Sequence, residues 1–188
     1  MLVPPEAARV RGLERALAVL EAAGVETALI GAMALASRGV ARSTTDFDLL
    51  VVHDDPLLSW FWTPLREEGM EVEVRPGEPG DPLAGVVRIQ APGDPLVDVV
   101  VGQTAWQHDL VLRAEPLVVT GVSMRVARAA DLILLKLYAG GPSDRWDIER
   151  LLEVAPDRAA CVAEVEAELP RLPAECRTLW DRIRSGLQ

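Results

Sequence analysis

Three observations predict an α+β fold (α/β where strand and helix alternate): a mixed β-sheet with helices on one face and a helical C-terminal region. Residues 10–20 repeat apolar side chains at helical spacing, residues 27–126 hold a series of short apolar runs separated by turn residues, and from Asp131 onward the pattern is helical. The 188 residues, 49% apolar and 26% charged, suit one domain, long enough to bury roughly two-thirds of its unfolded surface. One domain over 1–188 is expected, with a sheet core at 1–127 and the helical region at 128–188.

Each element has a local reason. After Pro4-Pro5, the residues Val10, Leu13, Leu17 and Leu20 mark a helix that Gly24 ends. Thr27 to Ile30 is a short strand running into Gly31, Met33 to Ser37 a short helix, and Gly39 its stop. Asp46 to Val52 is a strand, after which Asp55 caps and Pro56 starts a helix predicted to reach Glu68. Glu71 to Arg75 alternates like a half-buried strand, and Pro76 to Pro82 is a loop. Val86 to Gln90 and Leu96 to Val101 are strands flanking Pro92-Gly93-Asp94-Pro95. Thr104 with Gln107 is a capping box for a helix to about Leu112. Leu117 to Thr120 and Ser123 to Val126 form a hairpin at Gly121. Gly140-Gly141-Pro142, Pro156 and Pro170 to Pro173 divide the helices that follow.

Composition narrows the function. Nineteen basic against 29 acidic residues give a net charge of −10, which argues against a broad nucleic-acid-coating surface, because counterion release needs many cations facing phosphates. No apolar run approaches the ~18 residues of a membrane span, and Met1 to Pro5 lacks the features of a secretion signal, so no membrane partner and a cytoplasmic location are expected. Cys161 and Cys176 read as buried small residues rather than a disulfide or metal site. Eighteen basic residues are Arg, and Lys136 is the one lysine, which singles out its position.

The chemistry is carried by acids. Asp46 and Asp48, two apart on a strand, project from one side about 7 Å apart along the chain, while Phe47, Leu49 and Val51 face the core. Like charges so placed are unfavourable without a cation between them, and Mg²⁺ is the usual oxygen-bound occupant. Asp98 interrupts an otherwise apolar strand, where a carboxylate is costly unless paired, protonated or metal-bound. The plainer readings are turn or edge acids for Asp46 and Asp48 and a solvent-reaching strand end for Asp98. Gly31 opens a helix whose free amides suit phosphate oxygens, and Arg42 and Thr44 add a guanidinium and a hydroxyl; both features also suit an ordinary turn and a solvated loop. Trp60, Phe61 and Trp62 suit core or an interface better than base stacking, and His53 and His108 have no companions at metal-ligand spacing.

Ile30-Gly31-Ala32, then Arg42-Ser43-Thr44-Thr45-Asp46-Phe47-Asp48, then Leu96-Val97-Asp98, then Ala130 to Ala139 with Lys136, then Asp144-Arg145-Trp146-Asp147-Ile148, form an ordered set. Over roughly Ala28 to Leu152 it resembles the DNA polymerase β-type nucleotidyltransferase superfamily, and within it the small bacterial branch related to the AbiEii toxins. Ala32 departs from the Gly or Ser usual there, removing a hydroxyl that can touch phosphate. The resemblance implies transfer of a nucleoside monophosphate from a nucleoside triphosphate to a hydroxyl acceptor, which a tRNA or other RNA end, a protein or a small molecule could supply, together with a cognate antitoxin-like partner. It implies two Mg²⁺ or Mn²⁺ ions on Asp46, Asp48 and Asp98, proton removal by Asp98, and a triphosphate on Gly31 and Ala32 with Arg42 and Thr44 assisting. Lys136 would reach phosphates, and Asp144 and Asp147 would orient it or the acceptor. Lys136 also fits a snorkelling helix residue, and Asp144 and Asp147 also fit simple helix-dipole complements after Ser143. Two other functions remain compatible: a catalytically silent binding or regulatory copy of this fold, and a metal-dependent phosphodiesterase using the same acids.

Overall fold

The computed structural model describes residues 10–186, so the Pro4-Pro5 start lies outside the described residues. Helix α1 (Arg11–Ala22) buries Leu13, Ala16 and Leu20, and Gly24 takes the left-handed conformation just beyond it. Strand β1 (Ala28–Ile30) runs directly into α2 (Gly31–Ser37), and β2 (Phe47–Val51) follows an irregular segment. Strands β3 (Glu71–Pro76), β4 (Gly85–Gln90) and β5 (Val97–Val101) lead to α4 (Ala105–Arg113), where the Thr104–Gln107 capping box forms as expected.

The region from Asp55 to Glu67 departs from the single predicted helix. It is two 3₁₀ turns, Asp55–Leu57 and Ser59–Trp62, leading into a short α3 (Thr63–Glu67). The Asp55 side chain caps nothing. The indole of Trp62 is fully buried and donates to Pro56 O at 2.7 Å, fixing a tight coil that a regular helix could not make. Phe61 joins the core and Trp60 is 64% exposed, so the aromatic run divides between interior and surface.

Strands β6 (Glu115–Val119) and β7 (Val122–Val126) close a hairpin at Thr120 and Gly121, both at positive φ, as a tight two-residue turn requires. The seven strands form one mixed sheet in the order β3-β4-β5-β2-β1-β7-β6. Strand β2 lies at its centre, parallel to β5 and antiparallel to β1. The join to the hairpin is narrow: β1 and β7 share one register pair, Leu29 with Val126. Arg38, just past α2, reinforces that join by donating to the backbone carbonyls of Ala127 and Val126 at 3.0 and 3.1 Å.

Burial alternates along β4 and β5, while β2 is buried at every residue but Asp48. Phe47, Leu49 and Val51 on β2, Val97, Val99 and Val101 on β5, and Val87 and Ile89 on β4 form a sealed face. The opposite face carries Asp48, Asp98 and Arg88, all half-buried. The helical region comprises α5 (Ala129–Ala139), α6 (Asp144–Val154), α7 (Arg158–Glu168) and α8 (Ala174–Gly186). Helix α5 is its hub, packing on α2, α6, α7 and α8. Cys161 and Cys176 are buried free thiols. No described helix is long and apolar enough to cross a membrane.

Candidate active site

The central pairing of β2 with β5 builds the site. The register sets Asp48 directly beside Asp98, so the two carboxylates stand on adjacent strands and the same face. Asp46 stands one residue before β2, exposed, and its charge acts on Asp48. Thr44 Oγ1 accepts from the Asp46 amide at 3.2 Å, which fixes the approach to the strand.

The Asp48 carboxylate makes no hydrogen bond among the described residues. Burial, then the neighbouring charges of Asp98 and Asp46, push its carboxyl up to about 6, with Lys136 acting weakly in the other direction. Gly31 makes this placement possible. Its φ is +66°, and a Cβ there would overlap the Asp48 carboxylate, so both backbone conformation and space require glycine. Ala32 lies in the first turn of α2, which has no side-chain cap.

Asp98 is not free. Arg88 of β4, its antiparallel neighbour, donates from Nε and Nη2 to its two oxygens at 3.0 Å each, a bidentate ion pair. Sequence reasoning missed Arg88, although a signal existed: residues 88 and 98 are equidistant from Gly93 in the turn predicted between their strands. The other two acids and this pair make a dense patch of charge across the centre of the sheet, next to Glu73, which pairs in register with Arg88.

The donor chemistry of Asp46 and Asp48 fits a divalent cation: oxygen donors only, with the Asp48 carboxylate unpartnered and its ionised form disfavoured by burial and by its acidic neighbours. No group of three acidic, histidine or cysteine side chains among the described residues is close enough to hold a metal, and Asp98 is engaged by Arg88 instead. Asp98 thus stands beside Asp48 as expected, but paired with Arg88, whereas no cation pairs with Asp46 or Asp48 among the described residues.

The second cluster joins α5, α6 and the segment before β2. Lys136 Nζ lies 2.8 Å from Asp144 Oδ1 and 2.9 Å from Asp147 Oδ2. Arg42 Nη2 donates to the same Asp147 oxygen at 2.8 Å, and its guanidinium sits 5.0 Å from the ring centre of Trp146. The Gly141 amide donates to Asp144 Oδ2 at 2.6 Å. Asp144 is 5% exposed and Asp147 fully buried, with Asp147 Oδ1 lacking a partner among the described residues. Burial lowers the pKa of Lys136, but the hydrogen bonds it donates to Asp144 and Asp147 outweigh it and hold the ammonium charged. The structure thus brings Asp46, Asp48, Asp98 and Gly31 together, and gathers Lys136, Arg42, Asp144 and Asp147 beside them.

A cavity of about 270 Å³ reaches one member of each cluster, Gly31 and Lys136, and is otherwise walled by Ile30, Leu50, Val100 and Leu132 among others. Leu50 and Val100 follow Asp48 and Asp98 by two residues, so it opens on the carboxylate face.

No family model and no curated protein matches this chain. Among solved structures it is similar to the lincosamide antibiotic adenylyltransferase LnuA in lincomycin-bound form, 13% identical over 79% of this chain and 99% of that one, with a TM-score of 0.50. It is also similar to ANT(2″)-Ia in complex with adenylyl-2″-tobramycin, 16% identical over 94% of this chain and 97% of that one, at a TM-score of 0.46. A tRNA nucleotidyltransferase complexed with a primer tRNA and an incoming ATP analogue gives 13% identity, 89% of this chain, 59% of that one and 0.35. The mixed seven-stranded sheet with its helices is of the nucleotidyltransferase fold.

Proposed function

We propose that the protein is a metal-dependent nucleotidyltransferase that moves a nucleoside monophosphate from a triphosphate to a hydroxyl acceptor. The observation that carries this reading is the in-register placement of Asp48 beside Asp98, with Gly31 set against Asp48 in a left-handed conformation and at a distance that leave no space for a side chain. Adjacent carboxylates behind a bare backbone bend suit a phosphate whose charge must be offset by a bound cation.

Asp46 and Asp48 would hold a divalent ion, which when bound supplies positive charge to the phosphate oxygens. The acceptor oxygen forms a bond to the α-phosphorus as the bond to pyrophosphate breaks. Asp98 takes the hydroxyl proton once Arg88 releases it, and the freed guanidinium remains beside the charge developing on phosphate. Asp144 and Asp147 act as positioning residues that keep Lys136 charged at the cavity wall. Arg42 sits between Asp147 and Trp146, where it braces the segment leading to Asp46, and Thr44 holds the Asp46 amide. The finer placement in the AbiEii-like branch, with an antitoxin-like partner, belongs to the same proposal and rests on the Arg-x-Thr-x-Asp-x-Asp and Lys…Asp-x-x-Asp segments.

The test is incubation with each α-labelled nucleoside triphosphate, Mg²⁺ or Mn²⁺ and cell extract. Label should pass to a macromolecule or small acceptor, and Asp46→Asn with Asp48→Asn should abolish it while the protein stays folded. A second reading, a silent binding copy of the fold, is favoured by one observation, the bidentate occupation of Asp98 by Arg88. It predicts no label under any condition and no saturable, metal-dependent triphosphate binding.

A further inference from the structure

The cavity beside the carboxylates has a wall that the proposed chemistry does not use. Gln107 of α4 contributes to it, together with Pro82 and Leu83 of the loop after β3 and Leu135, Tyr138 and Ala139 of α5. The wall is largely apolar, yet Gln107 is fully buried and its Nε2 has no partner among the described residues. A buried amide donor left unpaired is costly, by about 1–3 kcal/mol.

The orientation of that amide is fixed. Its Oε1 accepts from the backbone amides of Gln103 at 2.9 Å and Thr104 at 3.0 Å, and from Thr104 Oγ1 at 2.9 Å. Two of these donors are backbone N–H groups, which cannot accept, so flipping the amide would set donor against donor. Gly102 lies close to the same oxygen, and a Cβ there would come within 2.8 Å of it, so glycine leaves the space in which this cap forms. The side chain therefore offers the cavity a donor and no acceptor.

We infer that this cavity binds a compact, largely apolar group that presents a hydrogen-bond acceptor, a carbonyl oxygen or ring nitrogen, to Gln107 Nε2. A group presenting an amine at that point would be rejected, because donor would face donor. Under the transferase reading, on which the choice of sources rests, this chemistry comes either from the base of the nucleotide or from a small organic acceptor. A long nucleic-acid footprint is disfavoured by the surroundings, where Lys136 is already neutralised by two carboxylates.

The experiment follows the side-chain amide signals of Gln107 in ¹H–¹⁵N spectra of the whole protein, without metal. These signals are assigned by their loss in Gln107→Glu, which keeps the capping oxygen and replaces the donor with an acceptor. The probes are adenosine, guanosine, cytidine and uridine in one arm and 4-hydroxyacetophenone in the other. At least one probe should shift these signals saturably at millimolar concentration. Its affinity should fall about tenfold or more in Gln107→Glu, the loss expected for one buried hydrogen bond. Ala139→Trp, a substitution at an exposed position on the cavity wall, should block binding without unfolding the protein. A response to nucleosides alone assigns the cavity to the donor's base, and a response to the hydroxyketone alone assigns it to the acceptor. If no probe moves the Gln107 signals, or if binding survives Ala139→Trp or Gln107→Glu, the inference is wrong. Because no metal or triphosphate is present, that failure is separate from failure of the labelling experiment.

Discussion

Asp48 illustrates how a residue can be placed at the expense of the fold. Its carboxyl, pushed up to about 6 in the folded chain, sits near 4 in the unfolded one. Below pH ~4 both states hold the proton and nothing is lost. As pH rises from there to about 6 the unfolded chain gives up its proton first, so stability falls, and above that the full cost stands. Asp48→Asn should therefore raise the unfolding midpoint at pH 8 without divalent ions, by an upper limit of about 3 kcal/mol, and change it little at pH 4. Urea titrations at the two pH values check this; an equal effect at both would contradict the assigned cause. Arg88 gives a second prediction. Removing the guanidinium frees both Asp98 oxygens, so Arg88→Ala should bind Mn²⁺ about tenfold more tightly, read from the free-ion resonance signal. Unchanged affinity would mean that Asp98 plays no part in holding the ion.

Among elements, the junction of α5 and α6 is the one that burial makes indispensable. Lys136→Ala leaves two buried carboxylates facing each other with only Arg42 to help, and should cost roughly 3–5 kcal/mol in urea unfolding. Combining Lys136→Met with Asp144→Asn and Asp147→Asn should recover most of that loss, because an uncharged cluster leaves no orphaned ion. Little loss in the single variant would point to solvent reaching the cluster. Much of this architecture was legible beforehand. Short apolar runs between turn residues located β2, β4 and β5, alternation located β3, and the pairing of a lone lysine with an Asp-x-x-Asp drew attention to the junction. What could not be read was pairing between distant segments. That Gln107 turns its acceptor to the backbone and leaves a donor at a cavity wall depends on α5 folding back over the sheet. The coil from Asp55 to Glu67 was misjudged because the burial of Trp62, a tertiary effect, overrides local helical pattern.

At the scale of the whole molecule, the sheet is two ribbons of unequal strength. Strands β2 to β5 are tied by long ladders, while the β6–β7 hairpin pairs with β1 through one register pair, supported by the Ala127 amide on Leu29 O and by the Arg38 guanidinium. The Arg38 side chain adds to the few rungs there, and its third nitrogen reaches Glu115 at 2.8 Å across the hairpin. Separation along this line should be the easiest partial opening of the protein. Arg38→Met should speed amide exchange across residues 115–126 by about tenfold while leaving residues 85–101 unchanged, a contrast that mass spectrometry of exchanged peptides resolves. Because β1 is both the strand at that seam and the one that ends at Gly31, loosening the hairpin would reach the bend that faces Asp48. A mutation far out on the edge of the sheet is then expected to weaken ligand binding without touching any group that meets the ligand.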